Sequence, residues 1–343
     1  MEWSHGLLTC FDQRVFRRLA AFPGSFSLDA AVAVAGEEGA ESWDIVEALG
    51  RLIDRSLVTL ERHDPPRYRL LETLRLYAGE RLRTSGETEE AAERHSRHFI
   101  EVFGKAELSW EEVPDADWIA PYQPELPNLR AALDWALAEP ERRQIAVALA
   151  ASGSLLLHAL FLIAEGRKYL DLIVPLIDRD TPRATAAHLL RHASAFCLTA
   201  RDPKGLVHAE RAASLYRKLD DRQNLATALS YIGGYRMNQG RLAEARTIIL
   251  EAQLLLAGSF LKKRQLVILI ILGSVATYMN NPAEGRRYFT QAIDLAHALK
   301  SFRESTCLSN LGLSEYALGN TERAIELTRE AAGGPDRPLD SGP

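Results

Sequence analysis

A chain of 343 residues, 47% hydrophobic and 25% charged, has the balance of a globular protein, and at about 150 residues per domain it has room for two. Its formal net charge of −5 excludes the basic footprint that a polyanion partner draws on. Three cysteines far apart in sequence, Cys10, Cys197 and Cys307, exclude a disulfide framework and zinc-ligand spacing, and the start Met1-Glu2-Trp3-Ser4 has neither the basic residues nor the apolar run of an export signal, so a cytoplasmic location is expected.

The chain opens with an amphipathic helix over residues 12–22, with Val15, Phe16, Leu19 and Phe22 on one side. Pro23-Gly24-Ser25 turns, and Ser27 caps a short helix rich in Ala and Val. A third helix is expected over residues 42–55, with Val46, Leu49, Leu52 and Ile53 as its buried stripe. Residues 56–61 and 67–70 flank His63-Asp64-Pro65-Pro66 as strand, turn and strand. Three helices and a hairpin make a winged helix, assigned to residues 1–84. A fourth helix over 71–83 leads through the acidic stretch 85–93 into a helical connector, residues 85–143, that carries Trp110, Trp118 and Trp135.

Residues 145–164 contain no charged residue and follow Arg142 and Arg143, as a membrane span would. The run is rich in Ala with Ser152, Gly153, Ser154 and His158 inside it, which favours a helix buried between neighbours and no membrane partner.

From about residue 180 a repeat emerges. Small residues Ala193, Gly233, Gly273 and Gly312 recur at intervals of 40, 40 and 39, and Gly205, Ala245, Gly285 and Ala324 keep the same intervals. A third series, Ala212, Ala252, Ala292 and Ala331, runs seven residues behind the second, on the same helix face. Turn signals at 200–203, 239–241, 280–282 and 319–320 separate the first two series, so each unit is a helical hairpin. Small residues mark where two helices approach closely. A weaker unit near Gln144, in which Glu165-Gly166-Arg167-Lys168-Tyr169 echoes Glu284-Gly285-Arg286-Arg287-Tyr288, would make five hairpins across residues 144–332, followed by a disordered tail, 333–343. The fold class expected is mostly α: a winged helix followed by a superhelix of hairpins.

The hairpins resemble tetratricopeptide repeats, most clearly at Gly233, Gly240, Ala245 and Ala252 and at Gly312, Gly319, Ala324 and Ala331. Residues 16–31, Phe-Arg-Arg-Leu-Ala-Ala-Phe-Pro-Gly-Ser-Phe-Ser-Leu-Asp-Ala-Ala, resemble the winged-helix opening of bacterial signal-transduction ATPases with NB-ARC-like motors. The likeness continues through residues 49–58, 68–78 and 125–137. It implies an ATPase module before the winged helix and hairpins behind it as sensor and partner surface. No GxxxxGK[ST] occurs in this sequence, so the phosphate cradle of such a motor is missing from it. The histidine-aspartate pair that many relatives place after the wing corresponds here to Leu71 and Glu72. No cofactor is expected.

Other chemistry is thin. His188 and His192 stand at i, i+4 without a carboxylate between them and read as packed or solvated rather than metal ligands, and His95 and His98 read as part of a charged solvent face. No GxSxG or GxGxxG occurs, so no catalytic residues are assigned and no enzyme activity is expected. The third helix carries Asp44, Glu47 and Asp54 against Arg51 and Arg55, and residues 1–83 hold 13 acids against 11 arginines, a balance that disfavours phosphate binding. The expected function is a regulatory or scaffold chain binding a protein or peptide, an ATPase module in trans or a second copy of itself. The alternatives are a DNA-binding transcription regulator acting through the wing, and the detached regulatory half of an ATPase. Residues four past each small position, Cys197, Met237, Thr277 and Tyr316, with Asn238 and Tyr278 beside them, are the candidate partner contacts. Apolar surface is expected near Trp3, Leu7, Leu8 and Phe11 and on the last hairpin.

Overall fold

The computed structural model describes residues 5–36, 42–61 and 65–333. The expected turn residues His63 and Asp64, Trp3, and the tail beyond Gly333 lie outside the described residues. Two compact units divide the chain: Met1–Ala106 with Ala120–Leu160, and Glu107–Ile119 with Phe161–Pro343. Their limits differ from the expected boundaries at residues 84 and 143.

In the first unit, helix α1 (Cys10–Arg18) starts where Thr9 Oγ1 accepts from Asp12 N at 3.1 Å, the side-chain cap that an N-terminus lacks by itself. Val15, Phe16, Leu19 and Phe22 are all buried as expected, each contributing about 1.5–3 kcal/mol over the exposed state. Ser27 caps α2 (Leu28–Ala35) through a hydrogen bond from Ala30 N. In α3 (Ser42–Asp54) the stripe is Ile45, Ala48, Leu49 and Leu52, whereas Val46 and Ile53 are only half-buried. Leu49 and Leu52 are buried as expected, and Ile45 and small Ala48 take the places expected of Val46 and Ile53, because the i, i+3, i+4, i+7 pattern that faces the core starts at Ile45.

Strands β1 (Thr59–Glu61) and β2 (Arg67–Arg69) pair antiparallel, Leu60 opposite Tyr68, and Phe26 adds a bridge to Tyr68 with both N···O distances 2.8 Å. Helix α4 (Glu72–Thr84) follows. The acidic stretch 85–93 is not a link: α5 (Thr88–Ser109) begins inside it, and Glu87 receives Arg17 at 2.5 Å and Arg18 at 3.0 Å. Beyond α6 (Asp115–Tyr122), α7 (Leu126–Ala138) packs on α8 (Arg143–Ala159), where a Cβ on Gly153 would lie 2.6 Å from Leu129 Cδ1. Helix α8 therefore belongs to this unit and does not open a fifth hairpin. It takes up most of the charge-free run, and among the described residues no helix is long and apolar enough to cross a membrane.

In the second unit α9 (Ile163–Ile173) packs on α10 (Arg183–Thr199), with Gly166 against the Phe196 ring. Four hairpins follow in register: α10 with α11 (Gly205–Lys218), α12 (Arg222–Asn238) with α13 (Leu242–Leu255), α14 (Lys262–Tyr278) with α15 (Pro282–Ala298), and α16 (Glu304–Ala317) with α17 (Thr321–Ala332). The small-residue series sit at the helix contacts. Gly233 admits Ile249, a Cβ on Gly273 would lie 2.7 Å from the Phe289 ring, and one on Gly312 would lie 3.2 Å from Ala324 O. Ala212, Ala245, Ala252 and Ala292 have no exposed surface. The first helix of each hairpin ends in a left-handed residue, Arg201, Gly240, Asn280 and Gly319, which turns the chain back on itself.

Candidate functional site

A cluster of buried ion pairs in the second unit is made by a segment from far earlier in the chain. Residues 107–119 leave the end of α5, turn, and enter α6, laying Glu107, Glu111 and Asp115 along the repeats. Glu107 forms an ion pair with Arg191 of α10, flanked by His188 Nδ1 at 3.7 Å and His192 Nε2 at 3.6 Å. Burial alone would raise the Glu107 pKa, but the Arg191 guanidinium, helped by His188, outweighs it and holds the carboxyl well below the usual range. Burial pushes His192 down to about 4, so the ring is neutral at pH 7 and its Nε2 accepts from Arg191 at 3.0 Å. Arg191 also donates from Nε to the Tyr216 hydroxyl at 3.3 Å.

Glu111 acts at the start of α14, where the preceding residue Leu261 offers no side-chain cap. Its Oε2 accepts from Lys263 N at 3.0 Å and its Oε1 from Arg264 Nε at 3.1 Å, while Arg264 reaches Asn224 Oδ1 of α12. A carboxylate at a helix N-terminus satisfies an orphan N–H and meets the positive end of the dipole. Asp115 accepts from Ser301 Oγ and Phe302 N, both at 2.9 Å, before α16, and stands 2.7 Å from Lys263 Nζ. That ammonium lies 3.6 Å over the Trp110 ring, which meets Trp118 edge-on at 4.8 Å. Burial lowers the Lys263 pKa, opposed by Asp115.

The residues expected to face a partner fall elsewhere, at the C-terminal ends of the first helices. Tyr278 and Tyr316 are 56% and 65% exposed, and Asn238 is exposed as well. Tyr316 lines an open cleft of about 700 Å³ with Leu313, Ala324, Ile325 and Thr328. Cys197 is buried against Gly205 and lines a cavity of about 170 Å³ with Arg167, Asp171 and His208. Met237 is half-buried on the core, and the Thr277 hydroxyl is shared between Gly273 O and Ser314 Oγ. The structure thus leaves Asn238, Tyr278 and Tyr316 exposed to solvent, each on a different helix, and gives Cys197, Met237 and Thr277 to packing.

In the first unit three of the cations that a DNA-reading winged helix would present, Arg51, Arg67 and Arg69, are engaged in ion pairs, while Arg55 at the end of α3 is exposed. Arg51 of α3 is held by Asp12 at 2.8 Å and Glu47 at 3.3 Å. Burial works against ionised Asp12, but the Arg51 guanidinium outweighs it and lowers the carboxyl pKa. Arg67 of β2 is buried, pairing with Glu125 at 2.6 Å and donating to Ser25 Oγ and O, and Arg69 pairs with Glu61 at 3.3 Å. His95 is not on a solvent face as expected. It is 3% exposed between Phe22 and Phe99, and burial drives its pKa to about 3, because the same helix stripe that carries Phe99 and Phe103 runs through it. Leu7 is 51% exposed, Leu8 is buried and Phe11 half-buried, so among the described residues of the expected apolar patch only Leu7 is open.

Comparison with known proteins agrees with this geometry. A family model for the winged helix-turn-helix domain matches residues 12–83. A Mycobacterium tuberculosis protein provisionally named an HTH-type transcriptional regulator is 31% identical over 348 residues, covering 96% of this chain and 38% of its own, as is its Mycobacterium bovis counterpart. A second M. tuberculosis protein, uncharacterised, is 37% identical over 100 residues, 29% of this chain and 25% of its own. The chain thus spans 38% of the length of the first curated relatives it matches. A signal-transduction ATPase with a tetratricopeptide repeat sensor from Pyrococcus horikoshii superposes with a TM-score of 0.56 at 15% identity, over 96% of this chain and 51% of that one. The fold is a winged helix followed by tetratricopeptide-like repeats.

Proposed function

We propose that the chain is a non-enzymatic regulatory protein of the cytoplasm whose repeat array binds a protein partner through a peptide segment. One observation carries this reading: the array already holds such a segment, residues 107–119, by three carboxylates and a Trp-Lys contact. Exposed Asn238, Tyr278 and Tyr316 add aromatic and amide surface of the kind enriched at interfaces. The likeness to transcriptional regulators and to a signal-transduction ATPase supports a regulatory setting, in which a motor would be supplied outside the residues of this sequence.

In this reading the winged helix is a packing and relay element, since Arg51, Arg67 and Arg69 are already paired with Asp12, Glu125 and Glu61. The competing reading, direct DNA binding, draws on the names of the relatives. Partner capture from the source cells, with wild type and a Tyr278→Ala/Tyr316→Ala variant as baits, tests the first, and a gel-shift titration at low and physiological salt tests the second. Expected are a protein lost with the tyrosines and no shift at physiological salt. A salt-resistant, sequence-dependent shift would reverse the ranking.

A further inference from the structure

Residues Trp110–Trp118 are attached to the repeats through side chains. The backbone hydrogen bonds recorded for the segment close within it or on its own flank, Trp110 N to Glu107 O, Glu112 N to Ser109 O and Trp118 N to Pro114 O. On the other side, the array offers the backbone N–H groups of Lys263 and Phe302 and the side chains of Arg264 and Ser301, each hydrogen-bonded to a carboxylate oxygen, and the Lys263 ammonium, ion-paired with Asp115 at 2.7 Å. Nothing in that donor set is specific to this particular segment. Two carboxylates four residues apart and an indole beside them meet every demand.

The electrostatics decide how the segment can leave. Lys263 and Asp115 are 6% and 4% exposed and Glu111 is 9% exposed, so vacating the site would strand buried charges. Exchanging one acidic segment for another strands none. Glu107, paired with buried Arg191 at the end of a regular helix, differs from the rest: it anchors the limb that follows.

We propose that the edge formed by Lys263, Arg264, Ser301 and the Phe302 amide is a binding site for acidic, tryptophan-bearing peptide segments, that Trp110–Trp118 is its resident occupant, and that a partner protein binds by taking its place. The proposal rests on the reading of the array as a peptide-binding surface and names the chemistry of the partner.

The probe is a fluorescein-labelled synthetic peptide with the sequence of Glu107–Ile119, titrated into the full chain and into a Glu111→Gln/Asp115→Asn variant, whose own limb is weakened. The variant should bind the peptide at least tenfold more tightly than wild type. Adding Arg264→Ala should lose that gain, and a peptide with the same Gln and Asn changes should not bind. A folded variant that binds no better than wild type, or that binds the Gln/Asn-substituted peptide equally well, overturns the proposal. If circular dichroism shows that the variant does not fold, wild type is followed by hydrogen exchange with and without excess unlabelled peptide. Faster exchange of the Trp110–Trp118 amides supports displacement, and unchanged exchange overturns it. A partner still captured through Tyr278 and Tyr316 when the peptide fails leaves the function of the array standing and removes only the resident occupant.

Discussion

Arg201 holds a left-handed backbone with φ of 56°, at the position where the other hairpins use Gly240, Asn280 and Gly319. A side chain costs about 1–2 kcal/mol there, and the extra freedom of glycine in the unfolded chain gives back about 0.5–1 kcal/mol of that. Arg201→Gly is therefore expected to stabilise the chain by roughly 0.5–1 kcal/mol, read as a higher melting temperature, with Asn280→Gly giving less because asparagine tolerates the conformation. A lower midpoint for Arg201→Gly would contradict the cap. His95 and His192 supply a second prediction at this scale. Their folded pKa values, about 3 and about 4, lie below the ordinary 6.5, so the unfolded chain takes up protons first as the pH falls. Their contribution to stability is whole above pH 6.5 and declines below it, until each titrates in the folded state. Denaturant midpoints should fall between pH 6.5 and 5, with Glu107, ionised in the folded state, adding to the slope only toward pH 5 as the unfolded carboxyl begins to take up protons. His95→Leu should flatten that dependence by at most about 1.4 kcal/mol per pH unit. An unchanged slope would place His95 in water.

Hairpins are where the sequence was most legible, because close helix approach writes itself as small residues at fixed spacing. Ala245 has no exposed surface and its carbonyl lies 3.6 Å from where a Cβ on Gly233 would be, with Ile249 filling the rest of the gap. Ala245→Phe should cost roughly 1–3 kcal/mol by overpacking, whereas Thr247→Ala on the exposed side of the same helix should stay within about 0.5 kcal/mol of wild type. Equal urea midpoints for the two would remove Ala245 from the helix contact. Other elements were misread for physical reasons. Helix α8 is Ala-rich and carries no charge after Arg143, a composition that suits packing on α7 as well as opening a hairpin. The acidic segment was invisible because it works through contacts 84 to 187 residues away in sequence, Glu107 with Arg191 and Asp115 with Phe302, and no periodicity records those. Glu107, Glu111 and Asp115 at intervals of four were the one local signal, and such spacing normally marks a solvated helix face.

Across the repeat unit, stability is expected to be uneven, since a stack of hairpins is held by nearest-neighbour contacts. The middle hairpins share one continuous core, running from Leu190 and Tyr216 through Leu229 and Ile249 to Val275, and the acidic segment ties α14 and the turn before α16 to it. The last hairpin shares little of this. Helix α17 buries only Ala324 and Leu327, Ile325 is 47% exposed, and Leu313 and Tyr316 of α16 face the same open cleft. Few buried apolar contacts mean a low free energy of local opening. Native-state hydrogen exchange of this chain should therefore show amides of α17 exchanging at least tenfold faster than those of α12 and α14, with α16 between them. Placing Glu at Ile325 should leave the middle hairpins unchanged, because that side chain lies outside their shared core. If α17 is protected as strongly as α14, the cleft is closed in solution, and a second copy seated on it would then appear as a dimer by light scattering.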